Sequence, residues 1–150
     1  MGAFQSNDAH AHGTPDAFDL RLDVTVDEGA LPPRYETPSA SQFALYARET
    51  VMVEGSNWVS VRTGLSFALP FMLILLVRGT GLDWEVEDQV VDYDATGELV
   101  VRVRRPQTDG QGGTLMRIVA GTRVAVGVVL PIARPAFRLY EPGTDEGEAV

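Results

Sequence analysis

The chain has no cysteine, no lysine and only two histidines, His10 and His12, in 150 residues. Without thiols there can be no disulfide, no thiolate metal site and no cysteine nucleophile, and the redox compartment is left undetermined. Both histidines sit in an Ala-His-Ala-His run. That spacing offers two ligands from an extended strand, but no further Cys or His completes a site, so the run reads as part of an arm. Positive charge is also scarce, with 12 arginines against 21 acidic residues and a net charge of −9. A nucleic-acid footprint needs clustered cations, so direct nucleic-acid binding is not expected. The longest apolar run, Leu65 to Val77 (LSFALPFMLILLV), is 13 residues with Pro70 inside it, too short to cross a bilayer as a helix. No basic segment followed by an apolar stretch opens the chain, so neither a membrane location nor a secretory signal is expected. Helical periodicity is missing as well.

What is present is strand language. DLRLDVTV alternates, and ETVMV, NWVSVRT, the apolar run, ELVVRVRR, TLMRIVA and RVAVGVVLPI follow, separated by turn signals such as Gly29 with Pro32 and Pro33, Glu54-Gly55, Thr96-Gly97 and Ala120-Gly121. Many short strands between regular turns predict an all-β sandwich or barrel-like jelly roll. Residues 1–18 are small, polar and unpatterned, and predict an N-terminal arm whose apolar anchors are Phe4 and Phe18. Residues 19–137 predict the β domain, and 138–150 an acidic C-terminal tail. FMLILLV and VAVGVVL are apolar at every position, so both faces of those strands seek cover. In so small a domain that predicts an interface between copies, closed most simply by cyclic symmetry.

The segment VVDYDATGEL, Val90 to Leu99, places Asp92 and Asp94 on one side of a strand, because side chains alternate with a period of two. Read alone, it is an Asp-rich turn ending at Gly97 or a carboxylate pair seeking a cation. Arg102, Arg104 and Arg105 form the densest basic patch; the first two share a strand face and are candidate contacts for an acidic neighbour or guards of a sheet edge. Trp58 alternates into a strand and is expected in the core, whereas Trp84, in a short loop, is the better interface candidate.

Taken in order, LPPRYETPSASQFALYA, VRTGLSFALP, VRGTGL, QVVDYDATGELVV and AGTRVAVGVVLPIARPAF resemble the trimeric dUTPase family from about Asp19 to Phe137. The resemblance implies a jelly-roll-like β protein in which three subunits share sites. It also implies water attack on the α-phosphate of magnesium-bound dUTP, with an aspartate orienting the water and arginine and serine holding phosphates. Matched position by position, Asp92 falls on the water-orienting aspartate, Asp94 on the second aspartate, Thr80 on a phosphate-binding serine and Arg123 on the arginine of the fourth motif.

The departures are as informative. Ala44 stands where the family has an aspartate near the metal and triphosphate, and a methyl group cannot coordinate magnesium. The arginine before Thr80 has no counterpart. Ala95 replaces the tyrosine that stacks on deoxyribose, and the hairpin that reads uracil is shortened. The glycine-rich C-terminal arm is replaced by the acidic RLYEPGTDEGEAV. The motifs that turn the chain survive, while those that do chemistry are mostly gone. The expectation is therefore a non-catalytic homotrimer without a cofactor. A bacteriophage head decoration protein bound to the major capsid protein on the virion exterior leads the readings, by architectural analogy. The alternatives are a dUTPase-like regulatory module and a diverged dUTP pyrophosphatase, which would require Mg2+ and act in the cytoplasm.

Overall fold

A computed structural model describes residues 20–79, 83–106 and 115–143. Every regular element within them is a strand: β1 (Asp23–Val26), β2 (Phe43–Tyr46), β3 (Val51–Val53), β4 (Val59–Arg62), β5 (Leu65–Ala68), β6 (Leu73–Arg78), β7 (Glu85–Val86), β8 (Gln89–Val91), β9 (Val100–Arg104), β10 (Met116–Ile118) and β11 (Arg123–Pro131). The predicted all-β class holds. The described strands form a four-stranded sheet in the order β2-β11-β6-β8, a three-stranded sheet β4-β9-β7, and the pairs β1-β5 and β10-β3. They do not close into a barrel. Most strands are only two to six residues long, so their ladders end before neighbouring sheets share an edge.

Pro70 divides the longest apolar run as its missing N–H requires. β5 ends at Ala68, and a turn closed by the Leu73 N–H donating to the Pro70 carbonyl (3.2 Å) leads into β6. Met72 sits in this turn at φ +70°, a region that costs a side-chain-bearing residue about 1–2 kcal/mol. Its carbonyl accepts from the Ile132 N–H (3.0 Å), which ties the turn to the end of β11.

β6 and β11 are antiparallel, with Gly127 opposite Val77 and Val129 opposite Leu75. This register sends Leu75, Val77 and Val129 inward with Phe43 of β2, against Leu45, Val61, Leu65, Val101, Val103 and Val124 of the core. Each such side chain, fully buried, contributes about 1.5–3 kcal/mol of apolar transfer. A Cβ at Gly127 would lie 2.8 Å from Phe43 Cε1 and 3.0 Å from Leu75 Cδ1, so glycine lets the Phe43 ring lie flat on β11. That ring stacks on Phe67 (centroids 6.1 Å apart) and meets the edge of Tyr35 (5.7 Å).

The opposite face of the same sheet is also apolar. Leu76 pairs with Val128 on one side and Val90 on the other, and Ile74 pairs with Leu130. These side chains are half-buried or exposed. Past β11, residues 132–141 run without regular structure and leave Phe137, Leu139 and Tyr140 largely exposed.

Candidate functional site

The Asp92–Asp94 segment leaves β8 and turns back toward β9, closed by the Ala95 N–H donating to the Asp92 carbonyl (3.0 Å). Both carboxylates are exposed, as is the intervening Tyr93, whose ring packs edge-on against Phe71 (5.0 Å). Between β8 and the returning strand lies a cavity of about 280 Å3 lined by Phe67, Gln89, Val90, Ala95, Glu98 and Val100. Gln89 spans it, its Nε2 donating to the Val100 carbonyl (2.9 Å).

The two Thr-Gly motifs are one physical unit. Glu98, from TGEL, accepts from the Gly64 N–H of TGL (Oε2, 2.7 Å) and receives Arg62 Nε and Nη2 (3.0 and 2.8 Å on Oε1). Those guanidinium bonds, with the Gly64 N–H adding to them against partial burial, hold the Glu98 carboxyl below the usual carboxylate range. Beside it, the buried Thr63 hydroxyl donates to the Leu99 carbonyl (2.6 Å) and accepts from the Leu65 N–H (3.2 Å). Gly64 itself has φ +72°, and a Cβ there would lie 2.5 Å from that of Ala30. Sequence reasoning missed Glu98. Its signal was the pairing of two Thr-Gly turns, one directly preceded by an arginine (Arg62) and the other directly followed by an acid (Glu98).

The other expected positions hold the fold together. Ala44 is buried in β2, its N–H donating to the Arg34 carbonyl (2.7 Å) and its register partner being Val126. Arg123 donates from Nη1 to Glu36 Oε1 (2.9 Å), and the other Glu36 oxygen accepts from the Tyr46 hydroxyl (3.1 Å). Burial, then the Glu36 acceptor, pushes the Tyr46 phenol above its ordinary value. Thr80, Phe4, Phe18, His10 and His12 lie outside the described residues, as do the whole 1–18 arm and positions 144–150 of the tail.

Trp58 and Arg105 are arranged differently from their sequence reading, while Trp84, Arg102 and Arg104 each have a partner within the chain. Trp84 is half-buried against the core, with its indole N–H donating to the Val124 carbonyl (3.2 Å). Trp58, expected as core, is half-buried and carries the Arg104 guanidinium over its ring (4.3 Å). Arg104 also bonds Glu85 (2.8 Å), and Arg102 faces Glu87 (3.5 Å). Arg102 and Arg104 are thus paired within the chain, by Glu87 just past β7 and by Glu85 on it. Arg105 is 5% exposed and does not belong to the same patch, because alternation puts it on the inward side with Val101 and Val103.

A magnesium site does not fit these residues. Among the described residues no three His, Asp or Glu side chains converge, and Ala44 has no lone pair to offer where the resemblance places a carboxylate.

No protein-family model matches the chain, and no curated protein matches it by sequence. Solved structures do match. A mutant dUTPase of phage phi11 of S. aureus, whose structure describes coordination of a structural Mg(II) ion, superposes with a TM-score of 0.71 at 16% identity, over 83% of this chain and 99% of that one. The phi11 dUTPase with its species-specific insert gives 0.69 at 17%, over 83% and 99%. A mutant dUTPase of Staphylococcus bacteriophage 80alpha gives 0.70 at 18%, over 81% and 96%. The strand order, the clipped Thr-Gly turns and these superpositions together identify the fold of this chain as that of the dUTPases.

Proposed function

We propose that this chain is a non-catalytic homotrimer of dUTPase fold with a structural role, acting as a phage head decoration protein on the virion exterior with the major capsid protein as its partner. One observation carries the loss of catalysis. Two positions that match the chemical motifs are engaged in holding the fold, Ala44 buried in β2 and Arg123 bound to Glu36. Removing a single such charge-stabilising donor costs an enzyme about 100-fold or more. Self-association is supported by the apolar outer face of β11-β6-β8 and by the exposed Phe137, Leu139 and Tyr140, surfaces that water disfavours. On this reading the arm at 1–18 ties the trimer to the shell through Phe4 and Phe18, and the acidic 138–150 tail lies outside the β domain.

The test has three parts. Protein incubated with dUTP and magnesium should release no pyrophosphate above background; light scattering should give three times the chain mass; and deletion of residues 2–17 should leave a trimer of unchanged melting temperature that no longer binds its shell. Turnover abolished by Asp92→Asn would refute the non-catalytic reading. A monomer at micromolar concentration would refute the trimer, and full shell binding by the truncated chain would refute the tether.

A diverged pyrophosphatase is the second reading, favoured by the 280 Å3 cavity beside Asp92. It predicts that dUTP protects the 89–100 segment from hydrogen exchange.

A further inference from the structure

The ribbon formed by β3 and β10 is apolar on both of its faces. Its register pairs Val53 with Met116, Met52 with Arg117 and Val51 with Ile118. Alternation sends Val51, Val53, Met116 and Ile118 into the core, where Val53 and Ile118 are fully buried. The outward positions are where polar groups belong. Three of the four are instead large and apolar: Met52 at 47% exposure, Leu115 at 49% and Val119 at 47%. Leu115 and Val119 flank Arg117 two residues to either side, so with Met52 directly opposite they surround its side chain.

Arg48, Arg62, Arg102, Arg104 and Arg123 each meet a carboxylate of this chain. Arg117, like the exposed Arg34, Arg78, Arg134 and Arg138, has no carboxylate partner among the described residues, in a chain with 21 acidic groups and a net charge of −9. What sets it apart is the apolar ring around it. An arginine ringed by methionine, leucine and valine has the composition of an interface centre, where Arg and Met are enriched and surrounding apolar groups exclude water. The ribbon has two strands only, so among the described residues each strand also keeps a free edge. Such an edge takes an added strand, with main-chain bonds supplying affinity and alternate side chains supplying selection.

We infer that the Met52–Leu115–Arg117–Val119 face docks an extended acidic and apolar segment of a different protein, whose carboxylate pairs with Arg117 while apolar side chains on either side of it cover Met52, Leu115 and Val119. The charge selects the partner: a basic segment is repelled by the guanidinium, and a neutral one leaves it unpaired under apolar cover. This face is separate from the outer face of β11-β6-β8 used above for self-association, so the inference holds whether or not the trimer reading does.

The test uses the full chain and a synthetic heptapeptide in which threonine alternates with leucine, aspartate and valine, together with versions carrying asparagine or lysine in place of the aspartate. NMR titration of the wild type should shift the amides of residues 51–53 and 115–119 with the aspartate peptide. It should bind that peptide about five- to tenfold more tightly than the asparagine version, the range of one charge-assisted hydrogen-bonded pair. Arg117→Glu should reverse the order in favour of the lysine peptide with an unchanged melting temperature, and Arg117→Gln, which keeps the length and polarity, should abolish the discrimination. Equal binding of all three peptides, or shifts that map elsewhere, overturns the inference. So does a fall in oligomer mass for Arg117→Glu, which would make the face a contact between copies.

Discussion

Replacing Glu98 tests whether the two Thr-Gly turns are held by one carboxylate. Glu98→Ala removes the acceptor from the part-buried Gly64 N–H (2.7 Å) and all three Arg62 bonds. Arg62 is about half in solvent, with 46% of its side chain accessible, so its pairing is screened and adds little. The main loss is the charge-assisted bond to Gly64 together with the cost of leaving that N–H unsatisfied, about 1.5 kcal/mol. For a domain of this size that lowers the melting temperature by about 4 °C. Glu98→Gln keeps a carbonyl for Gly64 and should lose about a third as much. The pH dependence has a definite sign. The carboxyl of Glu98 is depressed in the folded chain, so its contribution is fully present above the unfolded glutamate pKa of about 4.3 and disappears as pH falls through the lower folded value. Thermal melts from pH 7 downward should therefore bring the wild type down to the level of Glu98→Gln at acid pH, with Glu98→Ala below both because its Gly64 N–H stays unsatisfied. If Gln and Ala lose the same stability, or the gap between wild type and Gln does not narrow as pH falls, the clip is not what holds the turns.

Gly64→Ala should cost more, about 2–3 kcal/mol in chemical denaturation, because the left-handed φ and the 2.5 Å approach to Ala30 Cβ act together; a loss under 0.5 kcal/mol would refute the close approach. Glu36→Gln should bring the Tyr46 phenol down toward its ordinary range in an ultraviolet titration, since Glu36 contributes to raising it, while the effect of burial stays. The two faces of β6 should separate cleanly. Leu75→Ala should destabilise by about 2–5 kcal/mol as a core truncation, whereas Leu76→Asp should leave the subunit folded and reduce the mass seen by light scattering.

Much of the architecture was legible along the chain because strand alternation and turn chemistry are local. The all-β class, the break at Pro70 and the turn at Thr96-Gly97 follow from period-two patterning, a missing N–H and the residues that tolerate tight turns. The two-sided apolarity of β6 and β11 was equally visible, and the structure divides it into a core face with Leu75 and Val77 and an outer face with Ile74 and Leu76. Partner choice was not legible, because it is set by residues distant in sequence. Glu98 reaches Gly64 across 34 positions, Arg123 reaches Glu36 across 87, and Trp84 turns inward because the Val124 carbonyl, 40 residues on, accepts its N–H. The sequence by itself determined where the chain extends and where it bends. Only the tertiary structure decided which charges are satisfied from within, leaving Arg117 without a carboxylate among the described residues, because pairing depends on which strand edges the sheets bring together.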